Sequence, residues 1–450
     1  MRRIHLPDPL FEQRLEECGG GGVLGALPAG IAERVEDLSL LSGLLAGVGG
    51  LVLVDCCLRE SELPEVLRGV RFLSESEFCG WFGGLTVGER QGWRLEPWGW
   101  SEHAVGLVKR LGLSQEVPDP AVVRVVNSRE FSAVEDVLLG VGEGDGVGGE
   151  QRVSVGPWGG QFGRLCRSEG DVLESLEALS GCHAGGWVLK SNFSHAARNR
   201  LVGRGASLSE RERGWLLRRL QRVGCVYVEP WVERLGECGL QWEVHERGGG
   251  GYEVEFVGAS EFLADAGGEY RGSVLRGSGL EVTVGEWWGR CGCGVGGMGG
   301  VWGVSRGVVE RAGALGFRGP LGIDCMRIRY GGIECVRPVH DVNGRQTMGR
   351  VALGLRRLLG VGEWGAWLHF PAESAAVRLI SRVGGGWRGV RVHATGAELV
   401  NARAARLRSW LVIAEDSAVL RAVLGELGCV WSGEQSLNRA VDPGVGGGCE

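Results

Sequence analysis

Gly322-Ile-Asp-Cys-Met-Arg-Ile-Arg-Tyr-Gly-Gly-Ile-Glu-Cys-Val-Arg-Pro-Val-His-Asp-Val-Asn343 reads as two β-strands joined by Gly331-Gly332. A glycine pair suits the left-handed φ values of a two-residue hairpin turn. If Tyr330 faces Ile333, Asp324 falls opposite Val339 and one diagonal step from Asp341 on the same sheet face, about 7–8 Å away at Cα. Asn343, two residues beyond Asp341, points to that face too, because side chains alternate along a strand. His340 should then point to the opposite face. Two carboxylates and an amide oxygen make a hard-oxygen set suited to Mg2+ or Mn2+, which takes one or two carboxylates together with phosphates and water. A set without histidine or thiolate argues against zinc. Pro338 removes a ladder donor and favours an edge or a bulge.

Upstream of this hairpin the apolar period is also two: Leu240, Trp242 and Val244, then Tyr252, Val254 and Phe256 after a Gly248–Gly251 turn, predict an antiparallel pair. Residues 152–235 instead alternate strand and helix. Asp171 is expected to cap a helix over Val172–Leu179 that Gly181 stops, followed by a strand, Trp187-Val-Leu-Lys190. Ser209-Glu-Arg-Glu212 is a capping box opening a helix that Gly224 ends, and Cys225–Glu229 is an apolar strand. In residues 1–135, Leu51–Asp55 and Ala121–Val126 read as strands and Ser61–Val70 as a helix, giving a small α/β lobe. The uncharged run Leu38–Val54 is better explained by a helix, a glycine turn and a core strand than by a membrane span. The Gly-rich loop 140–149 marks a boundary, and the tail contains an expected helix over Ala397–Leu411.

With 450 residues, 44% of them hydrophobic, the chain can bury several cores. A net charge of −6 with both signs interspersed gives no field that would gather nucleic acid or an anionic membrane. The 14 cysteines lack paired CxxC spacing, so free thiols in a reducing cytoplasm are expected; Cys291-Gly-Cys293 is the one place for a thiol or zinc chemistry. Lysine occurs only at Lys109 and Lys190. Where arginine serves as the general cation, a retained lysine at a strand end suggests a site that wants a compact ammonium. Lys190 is followed by a small-residue, basic loop, Ser191–Arg200, which includes Ser194 and Arg198 and suits a flap over phosphates. Glu229-Pro-Trp231-Val232 at the next strand end would offer an adenine pocket, with Glu229 or Glu237 toward the amino group or the ribose.

This order of parts, ending in Arg337-Pro-Val-His-Asp-Val-Asn-Gly-Arg-Gln-Thr-Met-Gly349, resembles the ATP-grasp superfamily over roughly residues 120–355. The resemblance implies an α+β and α/β chain with an N-terminal lobe (1–135), an ATP-grasp small lobe with a phosphate flap (136–235), a large lobe with the metal site (236–360) and a small C-terminal extension (361–450). It implies ATP and Mg2+ as cofactors, Asp324, Asp341 and Asn343 as metal ligands, and Lys190, Ser194, Arg198, Glu229, Trp231, Val232 and Glu237 as nucleotide contacts. Asp341 stands where most members carry glutamate. The first of the two phosphate-side basic positions has no lysine, which leaves Arg164 or Arg167 as substitutes. Arg345 corresponds to the basic residue beside the transferred phosphate, and Arg271 is the candidate for gripping the substrate carboxylate. Asn127-Ser-Arg129 either contacts substrate or caps the following helix. The activity implied is ligation of a small-molecule or peptide carboxylate, activated as an acyl phosphate, to an amine acceptor or other nucleophile, in a soluble protein that admits a homodimer. The alternative is a nucleotide-binding module without turnover.

Overall fold

The computed structural model describes residues 2–17, 29–56, 58–135, 137–140, 157–158, 161–183, 185–193, 199–265, 269–278, 295–383 and 386–431. The N-terminal lobe is a parallel sheet, β1 (Arg2–Leu6), β2 (Leu51–Leu53), β3 (Arg71–Leu73) and β4 (Trp93–Pro97), in the order β3-β2-β1-β4. All three residues of β2 are buried, as a strand covered on both faces requires. It follows a short helix, Ser42–Ala46, and a turn with Gly47 and Gly49 at positive φ, so the run 38–54 folds as the sequence suggested. Two other expectations fail. Residues 121–126 are helical (Pro120–Val126), because Asp119 accepts a hydrogen bond from the Ala121 amide and Pro120 fits the first helical position. That pair outweighs the strand preference of four valines. Pro64 breaks the helix expected over 61–70 into two 3-10 turns, Glu60–Glu62 and Glu65–Leu67.

A short strand, β5 (Leu139–Gly140), leads to the second lobe, an antiparallel sheet of β6 (Arg164–Cys166), β7 (Trp187–Ser191), β8 (Arg200–Gly203) and β9 (Val226–Pro230) in the order β6-β9-β7-β8. Helices Glu169–Cys182 and Glu210–Val223 pack on it around Val172, Leu176, Leu189, Leu216 and Val228. Ser168, not Asp171, caps the first helix. Asp171 is the reciprocal third residue of that capping box, and Gly181 lies inside the helix. Ser209 and the left-handed Gly224 bound the second helix as expected.

The large sheet contains β10 (Glu233–Arg247), β11 (Gly251–Asp265), β12 (Tyr270–Arg276), β13 (Gly319–Tyr330), β14 (Ile333–Asn343), β15 (Trp364–Pro371), β16 (Val390–Ala394) and, after the two-residue strands β17 (Leu399–Val400) and β18 (Arg403–Ala404), β19 (Leu407–Ala414). Its order is β16-β19-β15-β12-β11-β10-β13-β14-β5, with β20 (Cys429–Val430) beside β11. Residues 361–431 therefore continue this sheet. The expected helix over 397–411 is a small hairpin leading into β19. Asn401 and Ala402, with φ of +51° and +58°, turn the chain at β17–β18, and Asp37 accepts hydrogen bonds from the Arg406 and Leu407 amides where β19 begins. Among the described residues no helix is long and apolar enough to cross a membrane, and the nine described cysteines carry free thiols.

Candidate active site

The β13–β14 hairpin turns at Gly331 and Gly332, with φ of +59° and +82°, and Tyr330 pairs with Ile333 as the sequence predicted. Beyond Met326↔Arg337 the register slips, and Asp324 pairs with Asp341 instead of Val339. The slip lies at Pro338, which lacks a ladder N–H; its carbonyl accepts from the Cys325 thiol at 2.8 Å. The slip tightens the carboxylate pair, since directly opposed residues have Cβ atoms about 4.5–5.5 Å apart. Asn343 faces the same side, and its Nδ2 donates to Asp324 Oδ2 at 3.2 Å. Burial and the Asp341 charge push the Asp324 carboxyl up to about 7, with Arg345 opposing. Among the described residues no three His, Cys, Asp or Glu side chains group as a metal site, so a cation would rest on these two carboxylates, the Asn343 amide oxygen and ligand oxygens.

The same slip corrects the expectation for His340. Its ring does not point away: Nδ1 lies 2.8 Å from an Arg337 guanidinium nitrogen and Nε2 lies 3.5 Å from Lys190 Nζ. Lys190, buried at the end of β7, forms an ion pair with Glu229, which Arg337 also reaches at 2.8 Å. Arg129 enters from the N-terminal lobe, donating to the His340 carbonyl at 3.3 Å and to Asp341 Oδ2 at 2.9 Å. Lys190, Arg129 and Arg337 thus stand against Glu229 and Asp341, one positive charge in excess. Burial alone would raise Glu229, but Arg337 and Lys190 hold its carboxyl down to about 2. Burial, reinforced by the two arginines and opposed by Glu229, brings Lys190 down to about 7. Burial and the three cations keep His340 neutral, well below the usual imidazole range.

The other sequence candidates divide. Arg345 donates to Asn343 Oδ1 at 2.9 Å and pairs with Glu12 on helix Phe11–Glu17, a contact that sequence reading missed. Glu237 lies on the strand face of Asp324, close enough to raise it, and pairs with Arg234 at 3.3 Å. The Trp231 ring lies 5.6 Å from both Arg200 and Arg234, and Val232 packs on an apolar patch of Leu138, Phe162, Met326, Ile328, Tyr330 and Cys335. Glu229 turns into the cation cluster, away from the role toward a base or ribose that the sequence suggested. Arg271 is not brought to the site, because it is the bulged residue of β12 and bonds Asp265 at 2.7 Å and Glu269 at 2.8 Å. Arg164 and Arg167 do not reach it either; they pair with Glu174 and Glu130, and Arg129 is the cation that arrives. Of the two roles considered for the Asn127-Ser-Arg129 stretch, the cap is present, since Ser128 caps the helix Arg129–Ser132. Ser194, Arg198 and Cys291-Gly-Cys293 lie outside the described residues.

No family model and no curated protein matches the sequence. Solved structures do. N5-carboxyaminoimidazole synthetase from Staphylococcus aureus is 9% identical with a TM-score of 0.50, covering 95% of this chain and 97% of that one. The N5-carboxyaminoimidazole ribonucleotide synthetase from Thermus thermophilus is 16% identical with a TM-score of 0.47, over 94% and 97% of the two chains. The biotin carboxylase domain of Hydrogenobacter thermophilus 2-oxoglutarate carboxylase is 11% identical with a TM-score of 0.44, over 92% and 86%. The staphylococcal likeness extends over nearly the whole of both chains: this chain has the ATP-grasp fold.

Proposed function

We propose that the chain is an ATP- and Mg2+-dependent ligase that activates a carboxylate as an acyl phosphate and joins it to an amine or another nucleophile. One observation carries the reading: Asp324, Asp341 and Asn343 share a face beside a buried cluster with more cations than carboxylates. The residues fit a divalent cation. Without one, the Arg129 guanidinium and the Asn343 amide N–H supply the positive partners that two opposed carboxylates require. Asp324, Asp341 and Asn343 would hold Mg2+ once Arg129 and Arg345 exchange their present acceptors for phosphate oxygens. Mg2+ bound there would neutralise charge on the transferring phosphoryl group. Lys190 and Arg129 would hold the phosphates, Arg345 the transferred group, and Trp231 and Val232 the adenine. Glu237 suits the ribose.

Nucleotide binding without turnover is the second reading. It is favoured by the pairing of Lys190 with Glu229, which competes with any phosphate for the same ammonium. Binding of a non-hydrolysable ATP analogue with Mg2+, followed by ADP release from ATP over a panel of carboxylates and amines, separates the two. We expect ADP release that needs one carboxylate and one nucleophile together. Tight binding with no release on any pair would establish the second reading.

A further inference from the structure

His340 stands between two cations. Its Nδ1 lies 2.8 Å from an Arg337 guanidinium nitrogen and its Nε2 lies 3.5 Å from Lys190 Nζ. A guanidinium has only donors, so Nδ1 is the acceptor of the first contact, and an imidazolium, protonated on both nitrogens, could not make it. The ring is therefore neutral and carries its one proton on Nε2. Arg337 is 2% exposed and also bonds Glu229 at 2.8 Å, so the group that sets this tautomer has little freedom to turn away. Nε2–H then faces the Lys190 ammonium, whose carboxylate partner is Glu229. An ammonium has no acceptor either. Two donors meet across 3.5 Å, and neither can bond the other.

Such a pair of donors defines where an anionic oxygen belongs. An oxygen about 2.8 Å from each nitrogen satisfies both at once, in the range of charge-assisted bonds. His340 is also the open side of the cluster: it is half-buried, like Asp341 and Asn343 farther along β14, whereas Lys190, Glu229 and Arg337 are enclosed. The surrounding charges have one positive in excess, and the neutral ring adds a donor without adding to it. His340 directly precedes Asp341 in β14, so the molecule that supplies this oxygen must also serve a cation held at Asp341. A polyphosphate has oxygens for both, whereas a single carboxylate has two in all.

We infer that His340 is a nucleotide-binding residue: its Nε2–H and the Lys190 ammonium grip one phosphate oxygen of ATP together, and Arg337 fixes the ring in the tautomer that can donate. The inference rests on the nucleotide site of the ligase reading above and not on turnover. Arg337 acts through His340 and is a positioning residue. Two amide side chains separate the roles of the two ring nitrogens. Asparagine ends at the depth of Nδ1, where it can accept from Arg337 but falls short of the phosphate. Glutamine ends at the depth of Nε2, where it can donate to the phosphate beside Lys190.

The test is isothermal titration of the full chain, in Mg2+, with ADP, a non-hydrolysable ATP analogue and, by competition, adenosine. We expect His340→Asn to bind ADP and the ATP analogue about tenfold more weakly, the size of one charge-assisted hydrogen bond. Its melting temperature and its affinity for adenosine should match those of the wild type. His340→Gln should bind ADP more tightly than His340→Asn, even with a lower melting temperature, because the buried Arg337 loses an acceptor. Three results overturn the inference. His340→Asn could bind ADP as the wild type does; it could lose as much affinity for adenosine as for ADP, which would put the ring against the base; or His340→Gln could be the weaker binder of the two, which would make the ring a support for Arg337 alone. ADP release absent on every carboxylate and nucleophile pair would end the ligase reading and leave this inference standing. A wild-type chain that binds neither ADP nor the analogue removes both.

Discussion

Asp324 carries the electrostatic tension of the candidate site. Its carboxyl titrates near 7 because it is half-buried and faces Asp341, whereas in the unfolded chain it returns to the ordinary value of 3.8. Between those values the folded state holds a proton that the unfolded state has released, so this contribution to stability is present below about pH 4 and is lost as pH rises through 7. Asp324→Asn removes the dependence. The variant should be more stable than the wild type at pH 8.5, on the order of 1–2 kcal/mol after discounting for partial solvent contact, and the gap should close toward pH 5.5. Urea midpoints at the two pH values measure this, and an equal gap at both would mean that Asp324 titrates normally. The same proton must leave when a divalent cation binds, so Mg2+ affinity in the presence of the ATP analogue should rise from pH 6 to 8 in the wild type and stay low and flat in the variant. Lys190 was legible as a candidate because the sequence retains lysine at only two positions. The Arg129 contact to Asp341 was not, because 212 residues separate the partners and local pattern carries no information about that pairing.

At the scale of elements, the metal hairpin was legible through its turn and its alternation, and the sequence placed Asp324, Asp341 and Asn343 on one face. The partner opposite Asp324 was not legible. A two-residue slip brings the alternation back into phase beyond it, so the shared side of Asp324, Asp341 and Asn343 survived an error in register, whereas the neighbour of Asp324 and the orientation of His340, inside the slip, changed. Elsewhere residue preference misled where a cap decided the outcome, as with Asp119-Pro120 and with Ser168. The hairpin is also tied to the N-terminal lobe. Asn127 imitates a neighbouring strand at Gly344, accepting from its amide at 2.9 Å and donating to its carbonyl at 3.3 Å. A Cβ at Gly344 would come within 2.8 Å of the Asn127 side chain and 3.0 Å of both Phe317 and Val126. Gly344→Ala should therefore displace Asn127 and the Arg129 that follows it, costing about 1–3 kcal/mol as overpacking does. Isothermal titration should show weaker binding of the Mg2+-dependent ATP analogue, although no residue proposed to contact it has changed. Unaltered affinity would mean that the Asn127 clasp does not position Arg129.

For the whole molecule, the place of the tail was not readable from motifs, because its strands have no internal signal of the sheet they join. β15 lies against β12, five strands away from β14 in the same sheet, and β19 and β16 continue outward. Two cores depend on these strands. One joins Leu263 and Val274 to Leu368, Val412 and Leu424, and the other joins Leu44, Val351 and Leu355 to Trp367 and Leu411. Removing residues 361–450 would thus bare the edge of β12 and open both cores, and it would take the Asp37 contacts that close the N-terminal lobe onto β19. A small appended extension would be dispensable, leaving nucleotide binding intact. The sheet topology predicts the opposite: a chain ending at residue 360 should aggregate or lack a cooperative melt, and should not bind the ATP analogue even though every residue proposed to contact nucleotide or metal is retained. Size-exclusion chromatography, thermal unfolding and analogue binding on the truncated chain decide the matter, and a monomer that melts cooperatively and binds the analogue would show that the shared sheet is not needed to hold the site.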